Sequence, residues 1–363
     1  STIADVLTNT GTTNGVVKYT IIPTAYGCQG SPVEQLITVY PKPVGSASPQ
    51  TICNGGTTHI ELNSTVSGSA FTWTAAQLSG ATIGGFSGCT TNCGAAIEQT
   101  LTNNGTGSGV VRYTITPEAN GCAGDPFTAD VTVHPTPNVV ATPSASSICS
   151  GNTVTINLSG AVTGTEFTWT ATPSGTTVTG FSDCSGSNCG NTISQTLFNN
   201  GTDPATVKYT ITPTFNGCTG VPEEVTITVN PGPTGSGADQ AICSGETTSV
   251  ALSSNVNDPV FTWTATLISG TISGFADCAS TCGTTISQTL TNSGITAGVV
   301  RYRVTPSANG CVGTPFDVNV TVLPLPLVDN PGDKTECAGS TVTVGFTGIG
   351  SRYEWSNDNT TIG

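Results

Sequence analysis

The chain has 363 residues, only 8% of them charged, with eight Lys plus Arg against 22 Asp plus Glu for a formal charge of −14. So few cations argue against holding a phosphate backbone or an anionic membrane surface, so neither nucleic acid nor lipid headgroups are expected partners. There is no Met, aromatics make up 6%, and no apolar run approaches the roughly 20 residues that cross a bilayer, so neither one large core nor a membrane-spanning helix is expected.

Along the chain the same signatures return in the same order. Residues 1–41 hold Val17-Lys-Tyr19-Thr, then Gly-Cys28, then Pro41-Lys-Pro43, and read as the C-terminal half of a unit. A whole unit, 42–135, follows with Ile-Cys53-Asn-Gly, Phe71-Thr-Trp73-Thr-Ala, the pair Cys89/Cys93, Arg112-Tyr113-Thr-Ile-Thr-Pro, and Asn-Gly-Cys122. It ends at Pro135/Pro137. The next unit, 136–231, repeats this as Cys149, Trp169, Cys184/Cys189, Tyr209 and Cys218, and 232–324 repeats it as Cys243, Trp263, Cys278/Cys282, Tyr302 and Cys311. Residues 325–363, with Glu-Cys337-Ala-Gly and Tyr353-Glu-Trp355, read as the N-terminal half of a further unit. The Trp spacings of 96, 94 and 92 fix a period of about 94 residues, the mark of tandem repeats.

Within a unit the apolar period is two. Thr153-Val-Thr-Ile-Asn-Leu, Val207-Lys-Tyr-Thr-Ile-Thr and Val225-Thr-Ile-Thr-Val alternate as half-buried strands do, and no stripe has helical spacing. Gly, Asn and Pro clusters between them supply turns, Asn216-Gly217 marking the last hairpin. About seven short strands per 94 residues predict an all-β chain of immunoglobulin-like β-sandwiches in an extended array, joined by semi-rigid Pro-x-Pro spacers. Trp73, Trp169 and Trp263 are expected to plug the space between sheets. Tyr113, Tyr209 and Tyr302 open the penultimate strand, in the manner of a tyrosine corner.

Fourteen cysteines beside two histidines predict disulfides in an oxidising, extracellular compartment rather than zinc. Cys89/Cys93, Cys184/Cys189 and Cys278/Cys282 are read as local bonds pinning a loop, each contributing about 2 kcal/mol at most. Two pairings compete for the rest. Bonds inside each repeat would be Cys53–Cys122, Cys149–Cys218 and Cys243–Cys311, with the partners of Cys28 and Cys337 outside the chain. Bonds across each linker would be Cys28–Cys53, Cys122–Cys149, Cys218–Cys243 and Cys311–Cys337. Loops at opposite ends of a sandwich speak against the first, and the need to bring separate domains together against the second. The intra-repeat pairing is carried forward as the expectation.

No residue set points to chemistry. His59 and His134 stand far apart in repeat phase and read as surface histidines. Lys18, Arg112, Lys208 and Arg301 share one repeat position and read as solvent-facing strand residues pairing with a neighbouring acid. No EF-hand loop, nucleophile elbow, carboxylate pair or phosphate-binding glycine loop occurs. No catalytic residue, cofactor or metal is expected.

Together, Phe-Thr-Trp-Thr-Ala, (Arg/Lys)-Tyr-Thr-Ile-Thr-Pro, Asn-Gly-Cys-x-Gly and Ile-Cys-Ser-Gly resemble the PKD-like, immunoglobulin-fold repeats of very large surface proteins of gliding and environmental Bacteroidota. The resemblance covers nearly the whole chain. It implies type IX secretion, display on the cell surface and an adhesin context in gliding motility or attachment, with no catalytic residues to carry over. The expected function is a non-catalytic stalk or filament segment of a secreted adhesin, whose partners are neighbouring repeats of the same protein. The alternatives are an array binding glycans or other surface proteins, and spacer repeats of a secreted multidomain enzyme. The two end pieces together lack about 14 residues of one unit. They are read as a window on a longer polypeptide, with completion between chains by strand addition as the other reading.

Overall fold

The computed structural model describes residues 2–186, 189–280, 282–359 and 361. Every regular element among them is a β-strand. The alternating Thr/Val segments pair because each can put one face into an apolar layer and leave the other, mostly Thr and Ser, in water.

In the middle repeat one sheet runs Val140–Pro143, Asn152–Ser159, Thr192–Asn199, Val178–Thr179 in spatial order. The facing sheet runs Ser147–Cys149, Glu223–Asn230, Ala205–Phe215, Glu166–Pro173, and the short Cys218–Thr219 strand closes a hairpin on Phe215. All of these pairs are antiparallel except one: Ser147–Cys149 lies parallel to the last strand, with Cys149 opposite Asn230. The repeats on either side use the same layout, including the parallel pairs that set Cys53 opposite His134 and Cys243 opposite Leu323. Each repeat is thus an immunoglobulin-like sandwich, as its period-two pattern predicts.

Each sandwich has its own core. In the middle repeat it is built from Val154, Ile156, Leu158, Phe167, Trp169, Ile193, Leu197, Val207, Tyr209, Ile211, Ile227 and Val229. Separate clusters of the same residue types fill the first and third repeats. The end pieces are single-layered. Gly15–Ile21 pairs with Val33–Val39, yet Val16, Val33 and Leu36 stay about 60% exposed. At the other end, among the described residues, only Leu327–Val328 and Gly348–Ile349 pair, and Trp355 is 80% exposed where Trp169 is 7%.

Tyr113, Tyr209 and Tyr302 are fully buried, and burial pushes each phenol up to about 12. The neutral form is favoured in the folded state, so this stability is fully present below the ordinary phenol value near 10. It is lost as pH rises from there toward 12. Phenolate absorbance should therefore show Tyr113, Tyr209 and Tyr302 resisting ionisation until the chain unfolds in strong alkali. Ionisation of these three near the ordinary phenol value while the sheets stay intact would contradict the burial.

Candidate functional site: the stapled junctions

The two cysteine-bearing corners are held rigidly by their own sequence. After Cys149 the chain turns at Ser150-Gly151, with Gly151 at φ +87°. Ser150 N–H donates to Asn230 O and Gly151 N–H to Leu197 O, both in or near the last turn of the ladder. The Ser150 hydroxyl accepts from Asn199 N–H, and buried Asn199 donates through Nδ2 to Val229 O at 2.8 Å. Asn54 and Ser244 play the same part beside Asn103 and Asn292. Ile-Cys-(Ser/Asn)-Gly is therefore a corner pinned to the end of the last strand, where the linker leaves.

The second corner is the Asn-Gly-Cys hairpin. Asn216 (φ +47°) and Gly217 (φ +83°) form a two-residue turn of the positive-φ kind that suits twisted strands. Two residues on, Gly220 lies so close to the linker that a Cβ there would come within 1.8 Å of Pro137 O, and Gly313 meets Pro233 O in the same way. The second glycine of Asn-Gly-Cys-x-Gly thus lets this hairpin press on the linker that enters its own repeat.

Across each whole junction these corners meet. Cys53 of the first repeat is bonded to Cys218 of the second, and Cys149 of the second to Cys311 of the third, each with Cα atoms 5.6 Å apart. Around the first bond His134 lies edge-on to Phe215, ring centroids 5.7 Å apart, and accepts or donates to Ser108 Oγ at 2.7 Å. Around the second, Asn230 Nδ2 donates to Asn309 O at 3.1 Å, and Asn257 Nδ2 to Asp203 at 2.5 Å.

Both pairings expected from sequence are corrected by this geometry. The intra-repeat bonds Cys53–Cys122, Cys149–Cys218 and Cys243–Cys311 do not form, because the parallel first-to-last strand pair puts Cys-x-Gly at the exit end of a sandwich. The Asn-Gly-Cys hairpin precedes the last strand and so lies at the entry end. The linker pairings Cys28–Cys53, Cys122–Cys149, Cys218–Cys243 and Cys311–Cys337 join the two ends that lie farthest apart in adjacent repeats, so they do not form either. The bond runs from the exit corner of one repeat to the entry hairpin of the next. Cys28, Cys122, Cys243 and Cys337 are unbonded.

The local pairs Cys89–Cys93, Cys184–Cys189 and Cys278–Cys282 are closed. Their role is tied to the tryptophan. Cys184 and Trp169 exchange both backbone hydrogen bonds at 3.0 Å, and the indole N–H donates to Ser182 O at 3.2 Å. Gln195 clamps the same loop: its Nε2 donates to Ser182 O, while its Oε1 accepts from Ser182 N–H and from the Tyr209 hydroxyl at 2.7 Å. Gln99 with Tyr113 and Gln288 with Tyr302 repeat the clamp. The tyrosines thus differ from a tyrosine corner, whose hydroxyl bonds to the backbone. The glutamine was missed in the sequence, although Ile-x-Gln-Thr-Leu at Ile97, Ile193 and Ile286 repeats as regularly as the tryptophan.

The remaining singled-out residues lie on the surface or at a junction. Lys18 pairs with Glu34 and Lys208 with Glu224, exposed pairs of the kind that contribute little, while Arg112 forms a half-buried, two-pronged pair with Asp130. Arg112 holds the Asp130 carboxyl below the usual range. Arg301 faces Asn319 instead. His59 sits between Glu98 and Glu61 on the surface, whereas His134 is the junction residue described above. Among the described residues no group of His, Cys, Asp and Glu is arranged to hold a metal.

The PKD-like domain family matches residues 1–43, 50–137, 146–233 and 240–326. The chain belongs to that family. Four successive PKD-like domains, the first of them partial, account for the repeats and for their period. No curated protein matches the chain. Among solved structures the PKD-like array is similar to the I67–I69 I-band fragment of titin (11% identity, 79% of this chain and 99% of that chain, TM-score 0.42). It is also similar to FdeC, an Escherichia coli adhesin (18%, 76% and 96%, TM-score 0.35), and to Drosophila N-cadherin EC1–4 (8%, 86% and 84%, TM-score 0.31). At these identities and scores the likeness says nothing about what the chain does.

Proposed function

We propose that the chain is a non-catalytic, tension-bearing stalk segment of a secreted bacterial surface adhesin, exported and displayed in the manner of type IX-secreted proteins of gliding Bacteroidota. The observation that carries this reading is the pair of bonds Cys53–Cys218 and Cys149–Cys311, each tying one repeat to the next. On the chain-entropy account a closed loop of some 160 residues contributes about 5 kcal/mol, well above a local loop. Such bonds persist only in oxidising surroundings, which supports an extracellular site. A stapled junction adds length and stiffness to an array; it adds no pocket. A concavity in the first repeat, lined by Thr82, Thr102, Asn104, Thr106 and Ser108, offers no ionisable group. In the three whole repeats the tryptophans Trp73, Trp169 and Trp263 and the tyrosines Tyr113, Tyr209 and Tyr302, which a glycan platform would need, are spent on the cores.

Negative-stain images of the oxidised chain should show short straight rods with a bead per repeat. Under dithiothreitol the same rods should bend at the linkers. Compact globules in the oxidised sample would overturn the stalk reading.

A further inference from the structure

Three of the four cations at the strand position before the tyrosine have a carboxylate on the neighbouring last strand: Glu34 for Lys18, Asp130 for Arg112 and Glu224 for Lys208. Arg301 does not. Its opposite residue on the last strand is Asn319, where Arg112 has Asp130. Asp239 reaches the same strand, but it accepts from Asn319 N–H at 2.7 Å and from Asn319 Nδ2 at 3.5 Å. Among the described residues Arg301 has no ion-pair partner, and its Nε is buried without an acceptor. A charged donor left unmade in this way is costly, and a ligand that supplies the acceptor recovers that cost.

A second guanidinium stands on the same face. Arg303 occupies the place held by Thr114 and Thr210 in the other whole repeats. Its acid, Asp317, lies 3.4 Å away in an exposed pair, a weak hold that can open to a stronger partner. The two arginine anchors are two residues apart on one strand, about 7 Å along it. Thr266 and Thr264 face them on the adjoining strand. Beside Arg303 is a concavity lined by Thr262, Thr264, Asp277 and Thr305, and its counterpart in the middle repeat has Thr210 in place of the arginine. Asp277 Oδ1 accepts from Ala265 N–H at 2.7 Å, which fixes the carboxylate in the concavity with its other oxygen turned to use.

We propose that this face of the third repeat binds a polyuronate, an extended polysaccharide whose sugars carry carboxylates. One carboxylate is held by Arg301 and another by Arg303, since the guanidinium fork matches a carboxylate with two parallel hydrogen bonds. Sugar hydroxyls donate to Asp277 and exchange hydrogen bonds with the threonines. This pairing of cations with a fixed acceptor and hydroxyls suits an acidic sugar better than an acidic peptide, which brings carboxylates without a hydroxyl on each unit. Recognition is by charge and hydrogen bonding rather than by ring stacking, because Trp263 is buried. The net charge of −14 repels any polyanion at low salt, but at about 0.15 M ionic strength charges beyond roughly 8 Å are screened and the local arginines decide. The site requires only the folded third repeat and is independent of the stalk reading.

The test is titration calorimetry of the full oxidised chain at physiological ionic strength with a short oligogalacturonate, a neutral dextran and an oligoglutamate. Oligogalacturonate should give saturable binding, dextran none, and oligoglutamate an affinity at least about tenfold lower. R301Q and R303T should each weaken oligogalacturonate by about tenfold. N319D should do the same with both cations still in place, because it gives Arg301 the acid that Arg112 has. R112Q, in the first repeat, should change nothing. Circular dichroism melts of each variant separate a lost site from a lost fold. No saturable binding of oligogalacturonate, an affinity untouched by R301Q and N319D in folded protein, or oligoglutamate bound as tightly would overturn the proposal. None of these titrations reads the bonds between repeats, so the stalk reading stands or falls on its own images.

Discussion

Pulled between Val44 and Pro324, the oxidised chain should yield only a fraction of its length even when every repeat unfolds. Nine residues lead from Val44 to Cys53, the bond crosses to Cys218, 69 residues run back to Cys149, the second bond crosses to Cys311, and 13 more reach Pro324, a taut path of 91 residues. With Cys149–Cys311 alone the path is 118 residues, with Cys53–Cys218 alone 115, and with both bonds reduced it is 280. The loops overlap, so each bond backs up the other. Removing one, as C218S does, should lengthen the final contour by only about 27 residues, roughly 90 Å, while C218S/C311S should release about 189 residues, roughly 640 Å at full extension. Single-molecule extension of the three proteins reads this directly. A single variant that releases one whole loop length would show that the bonds are not interleaved. The physical point is that staggered staples make a second covalent track alongside the backbone, so unfolding a repeat releases only part of its length.

Replacing Trp169 by alanine should cost the middle repeat about 4 kcal/mol, most of what holds a domain of this size together. The indole is 7% exposed among Phe167, Tyr209 and Ile211, and its N–H ties the sheet to the loop that Cys184–Cys189 closes. Truncation opens a void in a thin core and removes one of the two donors to Ser182 O, leaving only Gln195 Nε2, and the two losses add. Urea unfolding followed by circular dichroism should turn from one transition into two, the middle repeat melting first between its neighbours. Trp355→Ala, at a side chain 80% exposed, should change stability by less than about 0.5 kcal/mol. Equal effects from the two substitutions would contradict the assignment of Trp169 to the core.

The two tryptophans also show what the sequence could and could not tell. The sandwich was legible because burial imposes a period of two on every strand and repetition writes it out several times over. Trp169 and Tyr209 could be placed in the core from position alone. The bond partners of Cys53 and Cys149 could not. They depend on which end of a sandwich each corner occupies, and that is set by the parallel pairing of Ser147–Cys149 with the last strand, which leaves no mark in periodicity. Spacing favoured the nearest cysteines, and the fold carries those to opposite ends. Gln195 escaped notice for a different reason. A polar residue among Thr and Ser looks like a solvated strand position until its amide is seen clamping Ser182 and accepting from Tyr209. His134 read as an isolated surface residue because its neighbour Phe215 belongs to the next repeat.

The account as a whole rests on bonds between neighbouring repeats rather than within them. Non-reducing protease digestion of the oxidised chain, with mass spectrometry of the linked peptides, tests this most directly. Peptides joining Cys53 to Cys218 and Cys149 to Cys311 are predicted; peptides joining Cys53 to Cys122 or Cys149 to Cys218 would contradict it.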